Sequence, residues 1–405
     1  MLFTIAWRNV WRSRRRSGIL VASITVGICA GLLEMAILNG MAAQQVNAAV
    51  RTRLSHLQVH AAGFRNHEDV GLFVPGGDSV LAAVCSAPGV EAAAGRAVLD
   101  AMAASATTAR GVRLLGVDPA AERRVTDLPT RMVEGGWFGS PRHDAAVIGQ
   151  RLARRLGVRV GQKIVLTAQG GDGGVGAGAF RIVGLYRTAS SDFDETAVFV
   201  ERADLARTFA LDRRLYEIAV LVRGMDDIDP VAATLRRQLP ALDVATWRTL
   251  APEVALTRDW TGEMNGIFLI VILVALVFGT TNTMLMGVLE RTRELGVLMA
   301  LGMRPARVFG MVVLETVLLS LVGGLAGTAL AAAAIAALSR TGIDLSVVAG
   351  GLAALGMDRV IRPLLPVSSY PGVVALVAFT AVVASLYPGW KAVRLDPVVA
   401  MRTYR

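Results

Sequence analysis

The stretch ERTRELGVLMALGMRPARVFG, residues 290–310, is a short charged segment set between two long apolar ones. Residues 266–289 before it carry no charge at all, and residues 308–338 after it carry only Glu315. Each flank exceeds the roughly 20 apolar residues that a helix needs to cross a bilayer. Within the segment, Glu290, Arg291, Arg293 and Glu294 fill the first turns, and Leu295, Leu298, Met299 and Leu301 follow at helical spacing. Gly302 is placed to cap the helix, and Pro305 to start the next one. A helix this short is marginal in water by itself. The expectation is a docking element, its apolar residues entering a groove on another protein while its charges pair at the rim. An ordinary interfacial loop helix is the alternative.

Two further stretches, residues 17–41 and 371–390, are long and apolar enough to span. With 54% hydrophobic and 18% charged residues, and a mean hydropathy of +0.52, the 405-residue chain reads as a membrane part joined to a soluble part. The formal net charge of +10 does not point to nucleic acid. The arginines cluster beside the apolar runs, and no zinc-finger, RNA-binding or basic-zipper pattern occurs. Arg8, Arg12, Arg14, Arg15 and Arg16 precede the first span; Arg291, Arg293, Arg304 and Arg307 lie between the second and third; Lys391, Arg394, Arg402 and Arg405 follow the fourth. With four spans all three groups fall on one side, which the positive-inside rule makes cytoplasmic, with both termini inside. A cleavable signal peptide fits the N-terminus less well, because the apolar run is too long and contains Glu34.

The expected layout is therefore a cytoplasmic interfacial helix (1–16), spans at 17–41, 266–289, 308–338 and 371–390, and a 42–265 head with helical stalks. A cytoplasmic helix at 290–307, a periplasmic loop at 339–370 and a cytoplasmic tail at 391–405 complete it. The interfacial helix rests on Phe3, Trp7, Val10 and Trp11 sharing one face, with Arg8, Arg12, Arg15 and Arg16 on the others. Between them, AAQQVNAAVRTRLSHLQV is read as a helix continuing the first span, and TWRTLAPEVALTRDWTGEMNGI as one leading into the second. DLSVVAGGLAALGM, in the 339–370 loop, is too short to span and is read as interfacial. RLLGVDP, KIVLTAQ, AFRIVGLYRT and TAVFVE are strand-like, and DSVLAAVCSA, IGQRLARRLG, RADLARTFA and DPVAATLRRQL helix-like. The fold class is thus a membrane protein with four transmembrane helices and a large α+β extracytoplasmic domain on helical stalks.

Other chemistry is sparse. QGGDGGVGAGAFR (residues 169–181) lacks the Gly-Lys-Ser/Thr ending of a phosphate loop and is read as a flexible turn between strands. No such loop occurs elsewhere in the sequence, so this chain does not hydrolyse ATP alone by that route. His56 and His60 stand at i, i+4 with no third ligand nearby, and a solvated face is expected rather than a metal site. Cys29 and Cys85 are not expected to pair. No nucleophile, base and orienter assemble into a catalytic set.

The run ERTRELGVLMALGMRPARVFGMVVLETVLLSLVGGLAG resembles the FtsX/MacB/Lol-type ABC transporter permeases, with their Glu-Arg-x-Arg-Glu-Leu-Gly segment, an Ala-x-Gly, and a Glu before a Gly-rich patch. LLGVDP, IGQRLARRLGVRVGQKIVL, FRIVGLYRT and the Asp194 region are similar to the family's head, and YPGWKAVRLDPVVAMR to its C-terminal end. The resemblance implies a permease subunit, not an enzyme, paired with a second copy or a paralogue. It implies a coupling helix, built on Glu290, Arg291, Arg293, Glu294, Leu295, Gly296, Leu298, Ala300 and Gly302, that touches a cytoplasmic ABC ATPase dimer. ATP and Mg²⁺ would sit on that partner, with no cofactor or metal on this chain.

The layout fits the lipoprotein-releasing branch best, with the chain's start at the interfacial helix implying a separate ATPase. The expected site is the bacterial inner membrane and the expected cargo a lipid-anchored protein, with a periplasmic acceptor. A tripartite efflux permease for an amphipathic molecule, working with an adaptor, and a mechanical activator of a periplasmic enzyme are the alternatives. Glu34, and near it Asn39, are candidates for a membrane-embedded substrate contact or for helix pairing. Glu315 is expected to fix helix packing or to pair with arginines near the coupling helix. Gly323 and Gly327 are a small-xxx-small pair for close helix approach, and the Thr and Asn of TTNT (280–283) are read as interhelical hydrogen bonders.

Overall fold

The computed structural model describes residues 14–138, 143–346 and 360–394. The chain begins there with α1 (Arg14–Ala49), a π-helical turn (Val50–Leu54), β1 (Leu57–Ala61), α2 (Gly77–Ser86), β2 (Val90–Ala104) and β3 (Ala109–Val117). It continues through α3 (Pro119–Val125), β4 (Met132–Gly135), β5 (Ala145–Gly149), α4 (Gln150–Leu156), β6 (Lys163–Gln169) and β7 (Val175–Tyr186). Next come α5 (Ser191–Thr196), β8 (Ala197–Glu201), α6 (Arg202–Thr208), β9 (Glu217–Val222), α7 (Ile228–Gln238), β10 (Leu242–Thr246) and α8 (Trp247–Leu250). The last elements are α9 (Pro252–Glu290), α10 (Thr292–Ala300), α11 (Pro305–Thr341), β11 (Ile343–Asp344), β12 (Val360–Ile361) and α12 (Ser369–Val393). The proposed interfacial helix before Arg14, most of the 344–357 segment and the tail after Arg394 lie outside the described residues.

Two units divide the chain, with the changes of unit at 42 and 258 falling inside α1 and α9. The membrane unit contains α1, α9, α11 and α12, each with a window long and apolar enough to cross a bilayer. Small residues decide how closely they pack. A Cβ on Gly323 would meet the Ile24 side chain at 2.9 Å and the Val21 carbonyl at 3.0 Å, and one on Gly327 the Thr25 carbonyl at 2.7 Å. Thr25 Oγ1 donates to the Gly323 carbonyl at 3.1 Å, so α1 and α11 touch backbone to backbone there. Thr281 Oγ1 donates across to the Ala384 carbonyl, tying α9 to α12, whereas Thr283 bonds back into its own helix.

The head unit is built on one ten-stranded sheet, ordered β10-β1-β9-β2-β3-β8-β5-β7-β4, with β6 pairing β2 and β7. The 15-residue β2 changes partners midway: Val90–Arg96 pairs with β9, and Ala97–Ala104 with β3 and β6. Two cores result. Leu57, Val59, Ile218, Val220, Val231 and Trp247 fill one, and Leu114, Ile148, Leu166, Phe180, Tyr186 and Phe199 the other. At the change of partner stands Arg96, 2% exposed, its guanidinium bonded to Glu122 at 2.6 Å and Glu217 at 2.5 Å. A third bond goes to the Arg53 carbonyl at 3.0 Å. Burying one cation with two carboxylates is tolerable only because the donors are so fully used.

The strand-like and helix-like stretches of the head coincide with β3, β6, β7, β8 and with α2, α4, α6, α7. Two expectations are corrected. The helix following the first span ends at Leu54, and Leu57, Gln58 and Val59 belong to β1, because β1 is an interior strand bonded to both β9 and β10. His56 and His60 are not solvated but buried. His60 Nδ1 donates to the Tyr216 carbonyl at 3.1 Å, and His56 Nδ1 accepts from Val222 N at 3.0 Å. Burial lowers both pKa values. Four residues of extended chain also set them roughly 13 Å apart, too far to share an ion. The Gly-rich run is half turn and half strand: residues 170–174 connect β6 to β7, and Val175 onward lies in β7. Both cysteines are free thiols.

Candidate functional site

The segment between α9 and α11 has the features of a rigid short element. Helix α9 ends at Glu290, and α10 begins one residue on, with Leu295 N donating to the Arg291 carbonyl at 3.0 Å. Its other end is closed by Gly302, whose φ of +92° a residue with a side chain rarely adopts. Met303 N reaches the Leu298 carbonyl and Gly302 N the Met299 carbonyl, each at 3.0 Å, which is the Schellman pattern. Pro305 then occupies the first turn of α11, where its missing N–H costs nothing.

The face that α10 buries differs from the sequence expectation. Leu295 is 4% exposed and Gly296 is buried, and Leu298, Met299 and Met303 pack with Leu295 against the bundle's own core of Met284, Val308 and Met311. These residues anchor the element to its own membrane unit and are not free to enter a partner's groove. Turned outward are Arg293, Val297, Ala300, Leu301 and Gly302, with Leu301 80% exposed. The helical spacing holds, but it divides: Leu295, Leu298 and Met299 turn to the bundle and only Leu301 of the four is left open, since a stripe shows that a face is buried without showing against what.

A chain of charges holds the base of this element. Glu315 on α11 is buried, and its Oε1 lies 3.5 Å from Arg291 and 3.7 Å from Arg16. Arg291 also meets Glu294 at 3.2 Å, and Arg16 meets Glu290 at 3.3 Å. Two helices, α1 and α11, and the turn before α10 therefore meet on one carboxylate, and Glu290 at the end of α9 joins them through Arg16. The Arg16 guanidinium lies across Gly287, in the space that a Cβ there would claim. The two outer carboxylates are open to solvent, Glu290 most of all. Arg16 and Gly287 were missed as site residues; the first was legible only as one arginine among several, and the second as one of 42 glycines.

Farther along the bundle, Asn265 Nδ2 on α9 donates to Asn39 Oδ1 on α1 at 2.9 Å. Glu34 shares a small cavity with Asn265, Gly31 and Ile272. Glu34 Oε1 and Asn265 Oδ1 are both buried there without a protein partner. Two unmatched acceptors in an apolar wall favour a hydrogen-bond donor. Gly323 and Gly327 are distinct from this group and serve the α1–α11 contact. Among the described residues, no three His, Cys, Asp or Glu side chains cluster to hold a metal.

Comparison with known proteins covers nearly all of the chain. Residues 17–238 match the MacB-like periplasmic core domain, and residues 266–397 the FtsX-like permease C-terminal domain. The lipoprotein-releasing system transmembrane protein LolC of Neisseria meningitidis is 25% identical over 421 residues, 96% of each chain. The pyoverdine export ATP-binding/permease protein PvdT of Pseudomonas fluorescens is 26% identical over 434 residues, covering 98% of this chain and 58% of its own. Among solved structures, the periplasmic region of MacB from Actinobacillus actinomycetemcomitans aligns over 52% of this chain and 95% of its own, at 7% identity and a TM-score of 0.35. The extracellular domain of the transporter YknZ aligns over 47% and 99%, at 14% identity and a TM-score of 0.33.

Proposed function

The chain belongs to the family of FtsX-like permeases that carry a MacB-like periplasmic core domain, and on that premise we propose that it couples a separate ABC ATPase to movement of its head. The observation that carries this reading is the division of α10 into a pinned face and an open one. Leu295 and Gly296 are locked inward and Arg291 is tied to Glu315, while Arg293, Val297, Ala300 and Leu301 face out. A push on the open face passes as a rigid-body displacement into α9, α11 and, through Arg16, α1. ATP and Mg²⁺ belong on the ATPase, since this sequence has no Gly-Lys-Ser/Thr phosphate loop. The grouping of basic residues supports a cytoplasmic position for α10 and for both ends of the chain, in a bacterial inner membrane. A second copy or a paralogue completes the pair.

For the cargo we propose a lipid-anchored protein drawn from the membrane. Support comes from the match to a lipoprotein-releasing relative over 96% of both chains. Export of a small amphipathic molecule is the second reading, supported by the 98% coverage of this chain by pyoverdine export relatives. Native mass spectrometry of the complex from its own host separates them. Two permease and two ATPase chains with an acylated protein are expected. A periplasmic adaptor without acylated cargo would transfer the assignment to efflux, and a permease devoid of ATPase would overturn the coupling role.

A further inference from the structure

The head holds a cavity of about 620 Å³ that the coupling role leaves unused. That volume is in the range of small-molecule sites. Strands β1 and β9 line it from one core, β3 and β8 from the other, and β2 passes between them.

One buried amide in this wall is only half satisfied. Gln58 and His60 stand two apart on β1, so they share the face that borders the cavity. Gln58 is 5% exposed and His60 2%. The His60 ring is held at both nitrogens: Nδ1 meets the Tyr216 carbonyl and Nε2 meets Gln58 Oε1, each at 3.1 Å. A carbonyl only accepts, so the Tyr216 bond keeps a proton on Nδ1. The Gln58 amide can then stand in either sense, its oxygen towards a protonated Nε2 or its nitrogen towards a bare one. In both, one end of the amide is spent on His60, and the other has no partner among the described residues. A buried polar end left unmatched beside open volume calls for a partner from outside the chain.

The remaining wall selects a neutral one. Four arginines and four carboxylates line the cavity, among them the Arg96–Glu217 and Arg113–Glu68 pairs, so the lining has no net formal charge to draw an ion. Phe64 stacks on the His60 ring at 5.5 Å, and Phe193 and Phe199 meet edge to face at 6.1 Å. All three rings line the cavity and offer an aromatic surface next to the amide.

We propose that this cavity binds a small neutral molecule, an aromatic body carrying one primary amide or hydroxyl, with the free end of the Gln58 amide bonded to that group and the three phenylalanines against the body. A primary amide or hydroxyl both donates and accepts, so it answers whichever end Gln58 presents. The site does not depend on the coupling role and stands or falls separately.

The test is calorimetric titration of the full chain in nanodiscs, with empty nanodiscs as the reference for partition into lipid. The probes are 3-phenylpropanamide and its two ionic counterparts, 3-phenylpropanoate and 3-phenylpropylamine. The neutral amide is expected to bind more tightly than either ion. Gln58→Leu keeps the side chain's bulk and removes its amide, and should weaken binding of 3-phenylpropanamide about five- to tenfold. Gly111 lines the cavity with open space where its Cβ would stand, so Gly111→Phe fills the site without touching Gln58 or His60 and should abolish binding. Absence of amide binding, equal or tighter binding of either ion, unchanged affinity in Gln58→Leu, or binding that survives Gly111→Phe would overturn the proposal.

Discussion

Two ion-pair networks in this chain are built on opposite terms. In the head, Arg96, Glu122 and Glu217 are all under 5% exposed, and the arginine's donors are spent on two carboxylates and a carbonyl. In the membrane unit, the network runs from buried Glu315 through half-buried Arg16 and Arg291 to Glu290, whose side chain is 54% exposed. A sealed network fixes one arrangement, and disturbing it costs folding energy. A graded one has an end that another molecule can reach. The first serves the fold, and the second is the one that the proposed coupling role would use.

The comparison breaks first at Arg96. Arg96→Met strands two buried carboxylates, and thermal unfolding of the full chain should report a loss of about 3–5 kcal/mol in head stability. An unchanged midpoint would mean that the triad is not sealed. Asp194 sharpens the point, being a buried carboxylate held by hydrogen bonds rather than by an arginine. It accepts from Thr188 N at 3.0 Å and Thr188 Oγ1 at 2.7 Å, yet burial raises its pKa to about 6. Because the folded value lies above the unfolded one, near 3.9, this group's stabilising contribution is complete below about pH 4 and lost as pH rises through about 6. Asp194→Asn should therefore gain on the natural protein between pH 4 and pH 7, by up to roughly 3 kcal/mol. Parallel pH profiles for the two would contradict this. In the graded network the effects are smaller. Glu315→Gln should cost about 2 kcal/mol, while Glu290→Gln, at the solvent end, should cost about 0.2–1 kcal/mol. Equal losses at the two positions would remove the gradient.

The spans and four of the ten head strands, β3, β6, β7 and β8, were legible because each is encoded locally. Long uncharged runs have one use in a bilayer, and KIVLTAQ or TAVFVE carry their own β-preference. Strand β2 was not, since VEAAAGRAVLDAMAA is rich in alanine and is a strand only because β9, β3 and β6 bond to it. Strand β1 was taken for helix for the same reason: LQVHA follows a helix directly, and its partners lie some 160 to 190 residues away. At the site, the charges of α10 were plain in the sequence, as was the pairing of Glu315 with nearby arginines. The inward turn of Leu295 was not, because it depends on how α9 and α11 fold back around α10, nor was the reach of Arg16 to Glu315, which lie on helices distant in sequence.

The central claim is that the outward face of α10 receives the ATPase while its inward face holds the bundle. The most direct measurement is ATPase binding and stimulation with Leu301→Asp, a change at a residue 80% exposed that touches none of the charges at the base. The account predicts a normally folded permease whose stimulation of the ATPase falls about tenfold or more, the loss of a desolvated hot-spot contact. Full stimulation by Leu301→Asp, and equally by Arg293→Glu, would contradict it.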